Sequence, residues 1–380
     1  MIDIYELAKK YGTPIFLIDL DKIKENFLRF KKAFPNSIIA YSYKTNFHPE
    51  ILKTVNDIGG FAEVISPQEI YFAKKTGVAF NKIIYNGLGR DEEDFKKVIS
   101  NGFFSINLNS IDELEKISKI SKNLKKKVEI GIRINPSIKL EKKKSFTKDT
   151  KFGITPKDCG KVMKIINDNS FLKLKVIFAD MGTNILNPQN YAETFKILDK
   201  LAENKIVYMD LGGGFASESV LSKNNKSISD FGEVINKINT KKYKLIFEPG
   251  RYLIEDACYC ITKILSINNG WVITDIAGNF LIPLVNANYE ITLPNGNYKY
   301  NFGGNSCFAA DIIQKNVKTK KLNMGEILQI NNSGAYTFSM RNNLAYPDPL
   351  ILIKKNDEIT EYKKKGSVET IFENMLKDKD

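Results

Sequence analysis

The 380-residue chain contains one histidine, His48. A single histidine excludes His-cluster metal sites and argues against a Ser-His-Asp triad. The four cysteines, Cys159, Cys258, Cys260 and Cys307, form no C-x-x-C pair, so neither a zinc site nor a disulfide framework is expected. Acid–base work must then come from Lys, Cys, Tyr and carboxylates, or from a cofactor. No apolar run approaches the length of a membrane span. The opening residues mix Asp3, Glu6, Lys9 and Lys10 with apolar neighbours, unlike a signal peptide, which makes a cytoplasmic location the expectation. Arginine is also scarce. The formal net charge is +13, yet only Arg29, Arg90, Arg133, Arg251 and Arg341 among the 57 basic residues carry the planar fork that grips phosphate and bases. The lysines are scattered, so no nucleic-acid partner is expected, and the run Lys142–Lys144 reads as a solvated loop.

What is present suits a two-domain globular protein: 43% hydrophobic and 27% charged residues over a length that can bury two cores. From residue 24 to about 255, apolar runs alternate with amphipathic stretches. The runs are 38–43, 61–66, 82–86, 103–108, 128–134, 174–180, 206–211 and 245–248; helical spacing marks 91–99, 110–120 and 190–203. Eight strands alternating with helices suit a (β/α)8 barrel, although an open doubly wound sheet has the same local pattern. Polar residues favour the barrel. Lys44, Asn86, Asn107, Asn135, Asp180, Gly212–Gly214 and Glu248–Arg251 sit at or beyond the ends of many different runs. Barrel enzymes gather their chemistry in that way, whereas an open sheet concentrates it at one crevice. After residue 255, short segments at 261–265, 271–276, 298–302, 327–330 and 350–354 are separated by Gly, Asn and Pro. They predict an all-β domain, joined by residues 1–23 and closed by a short helix at 367–376.

Three motifs carry chemistry. Gly212-Gly213-Gly214 follows a strand, where bare backbone N–H groups can approach a phosphate; plain turn chemistry is the alternative. Glu248-Pro249-Gly250-Arg251 adds an arginine for the same anion and a carboxylate that could hold a proton on a ring nitrogen. Lys44, in Tyr41-Ser42-Tyr43-Lys44-Thr45-Asn46, leaves a buried run. A lysine there is either a solvated side chain past a strand or a desolvated amine nucleophile.

These residues resemble the fold-type III decarboxylases that use pyridoxal 5'-phosphate (PLP), and most closely their diaminopimelate decarboxylase branch. Matching blocks run the length of the chain. Besides the lysine, glycine and Glu-Pro-Gly-Arg motifs they include Glu63–Glu69, Arg133-Ile134-Asn135-Pro136, Lys151-Phe152-Gly153-Ile154, Gly304–Asp311, Gly334-Ala335-Tyr336, Ser339-Met340 and 368–376. The resemblance implies an alanine-racemase-like barrel with a second β-domain, divided at 24–255 against 1–23 and 256–380. It implies that Lys44 bonds covalently to PLP and that Glu248 faces the ring nitrogen. Gly213, Gly214, Gly250, Arg251 and Tyr336 would hold the phosphate. Cys307, otherwise a small core residue, would act in the active site of a neighbouring subunit, giving a homodimer with shared active sites. Arg133, Phe308, Asp311 and Asp348 would meet the substrate.

Three positions depart from the family pattern. Asp180, in Asp180-Met181-Gly182-Thr183-Asn184, stands where a histidine normally stacks on the PLP ring. Phe308 replaces a glutamate that holds the distal end of the substrate. The stretch Asn343–Pro349 replaces one that normally carries arginine. The expected activity is therefore decarboxylation of a non-standard amino acid or conjugate, as in siderophore or natural-product synthesis. A diaminopimelate- or ornithine-type decarboxylase is the alternative, followed by a racemase or a non-catalytic PLP-binding barrel.

Overall fold

The computed structural model describes residues 3–138, 150–202, 206–240, 243–281 and 287–373; the lysine run at 142–144 and the end of the closing helix lie outside them. The chain divides into two compact units, Lys24–Leu253 and the combination of Met1–Ile23 with Ile254–Asp380.

Strand β1 (Ile15–Asp19) belongs to the second unit. The first unit is built on β2 (Ile38–Ser42), β3 (Phe61–Val64), β4 (Ile83–Tyr85), β5 (Ser105–Leu108), β6 (Val128–Arg133), β7 (Leu172–Phe178), β8 (Tyr208–Asp210) and β9 (Lys244–Phe247). Each pairs in parallel with the next, and the ring closes where Ile38 and Ile39 of β2 meet Ile246 and Phe247 of β9. That closure decides for a barrel against an open sheet. Its interior is packed, not hollow: Ala40, Ile84, Phe104, Val176, Phe178 and Ile246 form one buried cluster.

The helices follow local signals. Asp91 caps Glu92–Asn101 by accepting from the Asp94 N–H, and three acidic residues fill that first turn. Ser66 caps Pro67–Lys75 and Ser110 caps Ile111–Leu124 through the N–H groups of Glu69 and Glu113. The second of these runs four residues past the predicted 110–120, ending on Lys125 in a left-handed conformation. The predicted helix at 190–203 is observed as Gln189–Leu201. Strand β8 keeps only Tyr208–Asp210 of the predicted 206–211; beyond it Leu211 leads into the glycine triplet, where Gly212 has a positive φ.

The second unit contains β1 and β10 (Cys258–Asn268), β11 (Trp271–Thr274), β12 (Glu290–Ile291), β13 (Tyr298–Gly304), β14 (Ile312–Thr319), β15 (Ile327–Asn331), β16 (Leu350–Lys355) and β17 (Glu358–Lys363). They form one nine-stranded sheet in the order β14-β13-β11-β10-β1-β16-β17, with β15 pairing β10 and β12. The N-terminal strand β1 is central, antiparallel to β10 and parallel to β16. Ile15, Leu17, Ile261, Leu350 and Leu352 bury one face of it, at about 1.5–3 kcal/mol per side chain. The edge strand β17 is charged and largely exposed, which blunts it against pairing with other chains. The closing helix is observed as Val368–Glu373. No helix among the described residues is long and apolar enough to cross a membrane.

Candidate active site

The C-terminal ends of the barrel strands collect a buried polar network that no single stretch of sequence contains. Lys44 lies in the one-turn helix Tyr43–Thr45 that follows β2. Its ammonium sits 3.1 and 3.4 Å from the two carboxylate oxygens of Glu63, on β3. The Lys44 side chain is 36% exposed while that of Glu63 is fully buried, so the amine is held at the mouth by a carboxylate beneath it. Ser42 donates to Glu63 Oε2 at 2.6 Å and to the Glu248 carbonyl at 3.1 Å. Asn86, just past β4, donates to both acids: 3.1 Å to Glu63 Oε1 and 2.7 Å to Glu248 Oε1.

Glu248 follows β9 and is buried together with Asp210, the last residue of β8. Burial, followed by the charges of Asp210 and Glu63, holds the Glu248 carboxyl well above the usual range, against the pull of Lys44 and the Asn86 amide. Asp210 is likewise raised, first by burial, although the Gly212 N–H donates to it at 2.9 Å. Glu63 therefore holds the ammonium directly, while the buried pair Asp210–Glu248 resists carrying two negative charges at once. A cationic ring N–H would be welcome there, because it offers Glu248 an ionic partner.

The glycine triplet forms a cradle in which side chains have no room. Gly212 and Gly214 have φ of 67° and 88°, which favours glycine. A Cβ on Gly213 would lie 2.6 Å from the Glu248 carbonyl, and one on Gly214 would lie 2.6 Å from that of Gly182. Tyr191 donates to the Gly213 carbonyl at 2.6 Å, and the Ile185 N–H donates to that of Gly214 at 2.9 Å, pinning the loop from behind. Gly250 faces Thr45: its Cβ would fall 2.0 Å from the Thr45 hydroxyl. Arg251, buried, opens the short helix Arg251–Ile254. Bare backbone, a buried arginine, an amine and a carboxyl awaiting a cation are what PLP requires, so the residues present fit it.

The departure at Asp180 acquires a partner. Arg133 closes β6 and reaches Asp180 at 3.4 Å, with its guanidinium 4.3 and 5.1 Å from the ring centres of Phe152 and Phe178. The Lys151–Ile154 block lies alongside, since Ile154 bridges to Ile134.

Of the expected site residues, Lys44, Arg133, Asp180, Gly213, Gly214, Glu248, Gly250 and Arg251 belong to the barrel unit. Cys307, Phe308, Asp311, Tyr336 and Asp348 belong to the β unit. Cys307 and Phe308 are exposed on the loop between β13 and β14. Asp311 is buried and uses its carboxylate to accept from the N–H groups of Gly304 and Ser306, at 3.3 and 3.2 Å, and from the Ser306 hydroxyl. It anchors the loop that displays Cys307 and Phe308. Asp348 pairs with Arg341 at 3.0 Å and Lys363 at 3.2 Å. Tyr336 adopts a left-handed conformation with φ 63°, after Gly334, whose α-carbon leaves no space for a side chain beside the Ile254 carbonyl. Sequence reasoning marked Asn86 and Asn107 at strand ends, and Ser42 and Glu63 within family blocks, but gave none of them a role in the site, and it did not single out Asp210. A carboxylate or amide inside an apolar run was the available signal.

The known relatives agree. A family model described as pyridoxal-dependent decarboxylase, pyridoxal binding domain, matches residues 20–255. The chain is similar to diaminopimelate decarboxylase of Aquifex aeolicus, 26% identical over 396 residues, covering 99% of this chain and 94% of the relative. It is 29% identical to diaminopimelate decarboxylase of Methanocaldococcus jannaschii over 381 residues, covering 90% and 86%. The crystal structure of the Helicobacter pylori enzyme complexed with L-lysine superposes with a TM-score of 0.88 at 27% identity, over 98% of this chain and 99% of that one. Relatives matched along nearly the whole chain are decarboxylases, which sets aside the racemase and the non-catalytic barrel. This chain belongs to the fold-type III pyridoxal-dependent decarboxylases and is a PLP-dependent amino-acid carboxy-lyase.

Proposed function

We propose that the chain removes the α-carboxylate of a diaminopimelate-type amino acid, one bearing a second polar head. The observation that supports this reading is similarity over nearly the full length, β unit included, to enzymes that act on diaminopimelate, one of them bound to L-lysine. It displaces the natural-product substrate suggested by the altered sequence blocks. A second reading keeps a substrate with an apolar distal end, and Phe308, 58% exposed in place of the expected acid, favours it.

Bound PLP supplies the electron sink that accepts the pair left when CO2 departs. Lys44 would hold the cofactor through its amine, and Glu63, 3.1 Å from that nitrogen, would hold the lysine as an ammonium whenever it is not so engaged. Glu248 would face the ring nitrogen and hold a proton there. Gly213, Gly214, Gly250 and Arg251 hold the phosphate, with Tyr336 assigned to the same anion by family resemblance. Arg133 and Asp180 flank the site as an ion pair where the family has a stacked ring. By the same resemblance, Cys307 of a partner subunit would return a proton to the α-carbon.

The test is CO2 release from meso-diaminopimelate, lysine, ornithine and arginine by PLP-loaded protein, with borohydride reduction and peptide mass spectrometry in parallel. The expected outcome is a phosphopyridoxyl mass on Lys44, and turnover of meso-diaminopimelate at least about tenfold above the other three, a difference of about 1.4 kcal/mol. Labelling at another lysine would overturn the assignment of Lys44. Equal, negligible turnover of all four would overturn the substrate class and leave the apolar-ended reading.

A further inference from the structure

The amide that joins Glu63 to Glu248 is itself held from outside the site. Asn86 Oδ1 accepts from Asn107 Nδ2 at 2.9 Å, and Asn107 Oδ1 accepts from the Ser105 hydroxyl at 2.8 Å. All five residues are buried. They come from four places on the barrel: β3, the end of β4, β5 and the end of β9. The direction of the chain is forced. With Glu248 ionised against a cationic ring, as the proposed function has it, the two carboxylates only accept, so Asn86 must turn its NH2 toward Glu63 and Glu248, as it does here. Its oxygen then faces Asn107, which must present NH2 in turn, and the oxygen of Asn107 takes the serine hydroxyl. Space for this arrangement is made by Gly131 on β6, the register partner of Asn107. A Cβ on Gly131 would fall 1.9 Å from Asn107 Oδ1.

We propose that Asn107, seated by Ser105 in the gap left by Gly131, is a positioning residue that locks the Asn86 amide donor-side toward Glu63 and Glu248 and so keeps the ring-facing carboxylate of Glu248 ionised in the loaded enzyme. The inference rests on the proposed place of Glu248 beside the ring nitrogen. Every other charged group around Glu248 in this network works with or against that amide. Asp210 on β8 and Glu63 on β3 favour its protonated form, and Lys44 after β2 favours its ionised form. Desolvation adds to the first side, so the two hydrogen bonds from a neutral amide matter. If Asn86 rotated by half a turn, its oxygen would face two carboxyl groups. The proton between Glu248 and the ring nitrogen would move onto Glu248.

Asn107→Asp adds no bulk and replaces the inner donor with an acceptor, which turns Asn86 around. Gly131→Ala displaces Asn107 without adding a polar group. Ser105→Ala removes one buried hydroxyl and serves as the deciding variant if neither of the others folds. Each is loaded with 15N-ring-labelled PLP and read by the ring-nitrogen chemical shift, with the pH profile of cofactor absorbance as the second measure. The expected result is a shift toward the unprotonated nitrogen in Asn107→Asp and Gly131→Ala, with proton occupancy changed roughly tenfold or more, and a smaller shift of the same sign in Ser105→Ala. A purely structural role would lower melting temperature and leave the shift where it is in wild type. An unmoved ring-nitrogen signal in folded, PLP-loaded variants would overturn the proposal. A wild-type enzyme whose nitrogen signal ignores Glu248→Gln would instead overturn the placement of Glu248, so the two failures are distinct.

Discussion

Glu69 shows how a single buried carboxyl ties stability to pH. It lies in the first turn of the helix Pro67–Lys75, with its side chain accepting from the Ile65 N–H at 2.8 Å. Burial, and then the charge of Glu63, push its carboxyl up to about 7, against the Ile65 hydrogen bond and Lys44. A raised acid binds a proton more tightly in the folded state than in the unfolded chain. Its contribution is complete below the unfolded value of 4.5 and is lost as pH rises through about 7. For the cofactor-free protein we expect Glu69→Gln, which keeps an oxygen for Ile65, to flatten this decline. The gain over wild type should grow between pH 5 and 7.5 toward an upper bound of about 3 kcal/mol. Urea unfolding at both pH values checks it; a gain of equal size at the two would show that Glu69 is not the group responsible. Asp180 poses the second residue-scale question. Its charge reaches Asp210, where it raises proton affinity. Asp180→Asn keeps the shape and removes that charge, so the pH midpoint of the bound cofactor's absorbance should fall by about half a unit. An unchanged midpoint, with an unchanged decarboxylation rate, would make the aspartate an inert replacement for the family's histidine.

At the scale of elements, the strand-to-helix turns do the work that side chains cannot. The loop after β8 has two residues in conformations that favour glycine and three α-carbons pressed against neighbouring backbone. Gly214→Ala would combine an unfavourable φ of 88° with a contact 2.6 Å from the Gly182 carbonyl. The loop must then move away from the Asp180–Ile185 segment that packs against it. We expect PLP affinity to fall about tenfold or more, with a smaller loss of melting temperature, measured by equilibrium dialysis and thermal unfolding. Retention of wild-type PLP affinity would remove this loop from the phosphate site. These elements were legible before the structure because helix caps, glycine triplets and apolar alternation are local signals. Ser110 with Glu113, and Asp91 with Asp94, mark helix starts within four residues of chain. The end of β8 was less legible, since nothing in 206–211 says where pairing yields to the glycine turn.

For the molecule as a whole, the exposed pair Cys307 and Phe308 bears on assembly. The loop that carries them is braced by Asp311 from within, an arrangement suited to presenting side chains away from their own unit. If Cys307 of the partner subunit completes each site, two inactive variants should complement. Mixing Lys44→Ala with Cys307→Ala under conditions of subunit exchange should restore up to about a quarter of wild-type activity, since a hybrid dimer holds one intact site. Proven exchange without any recovery would count against shared sites. The sequence by itself determined the elements of the barrel, the β-rich second unit, the cofactor motifs and the family, because each is written within a few consecutive residues. Tertiary structure alone decided which polar groups meet. Asn86 and Glu248 lie 162 positions apart, and Lys44, just past β2, lies 19 from Glu63 on β3. Only closure of eight strands brings their ends to one mouth, and only the missing side chain of Gly131 gives Asn107 its place there. Asp311 makes the same point: its carboxylate accepts from the Gly304 and Ser306 N–H groups of its own loop, a set of partners that only the folded loop brings together.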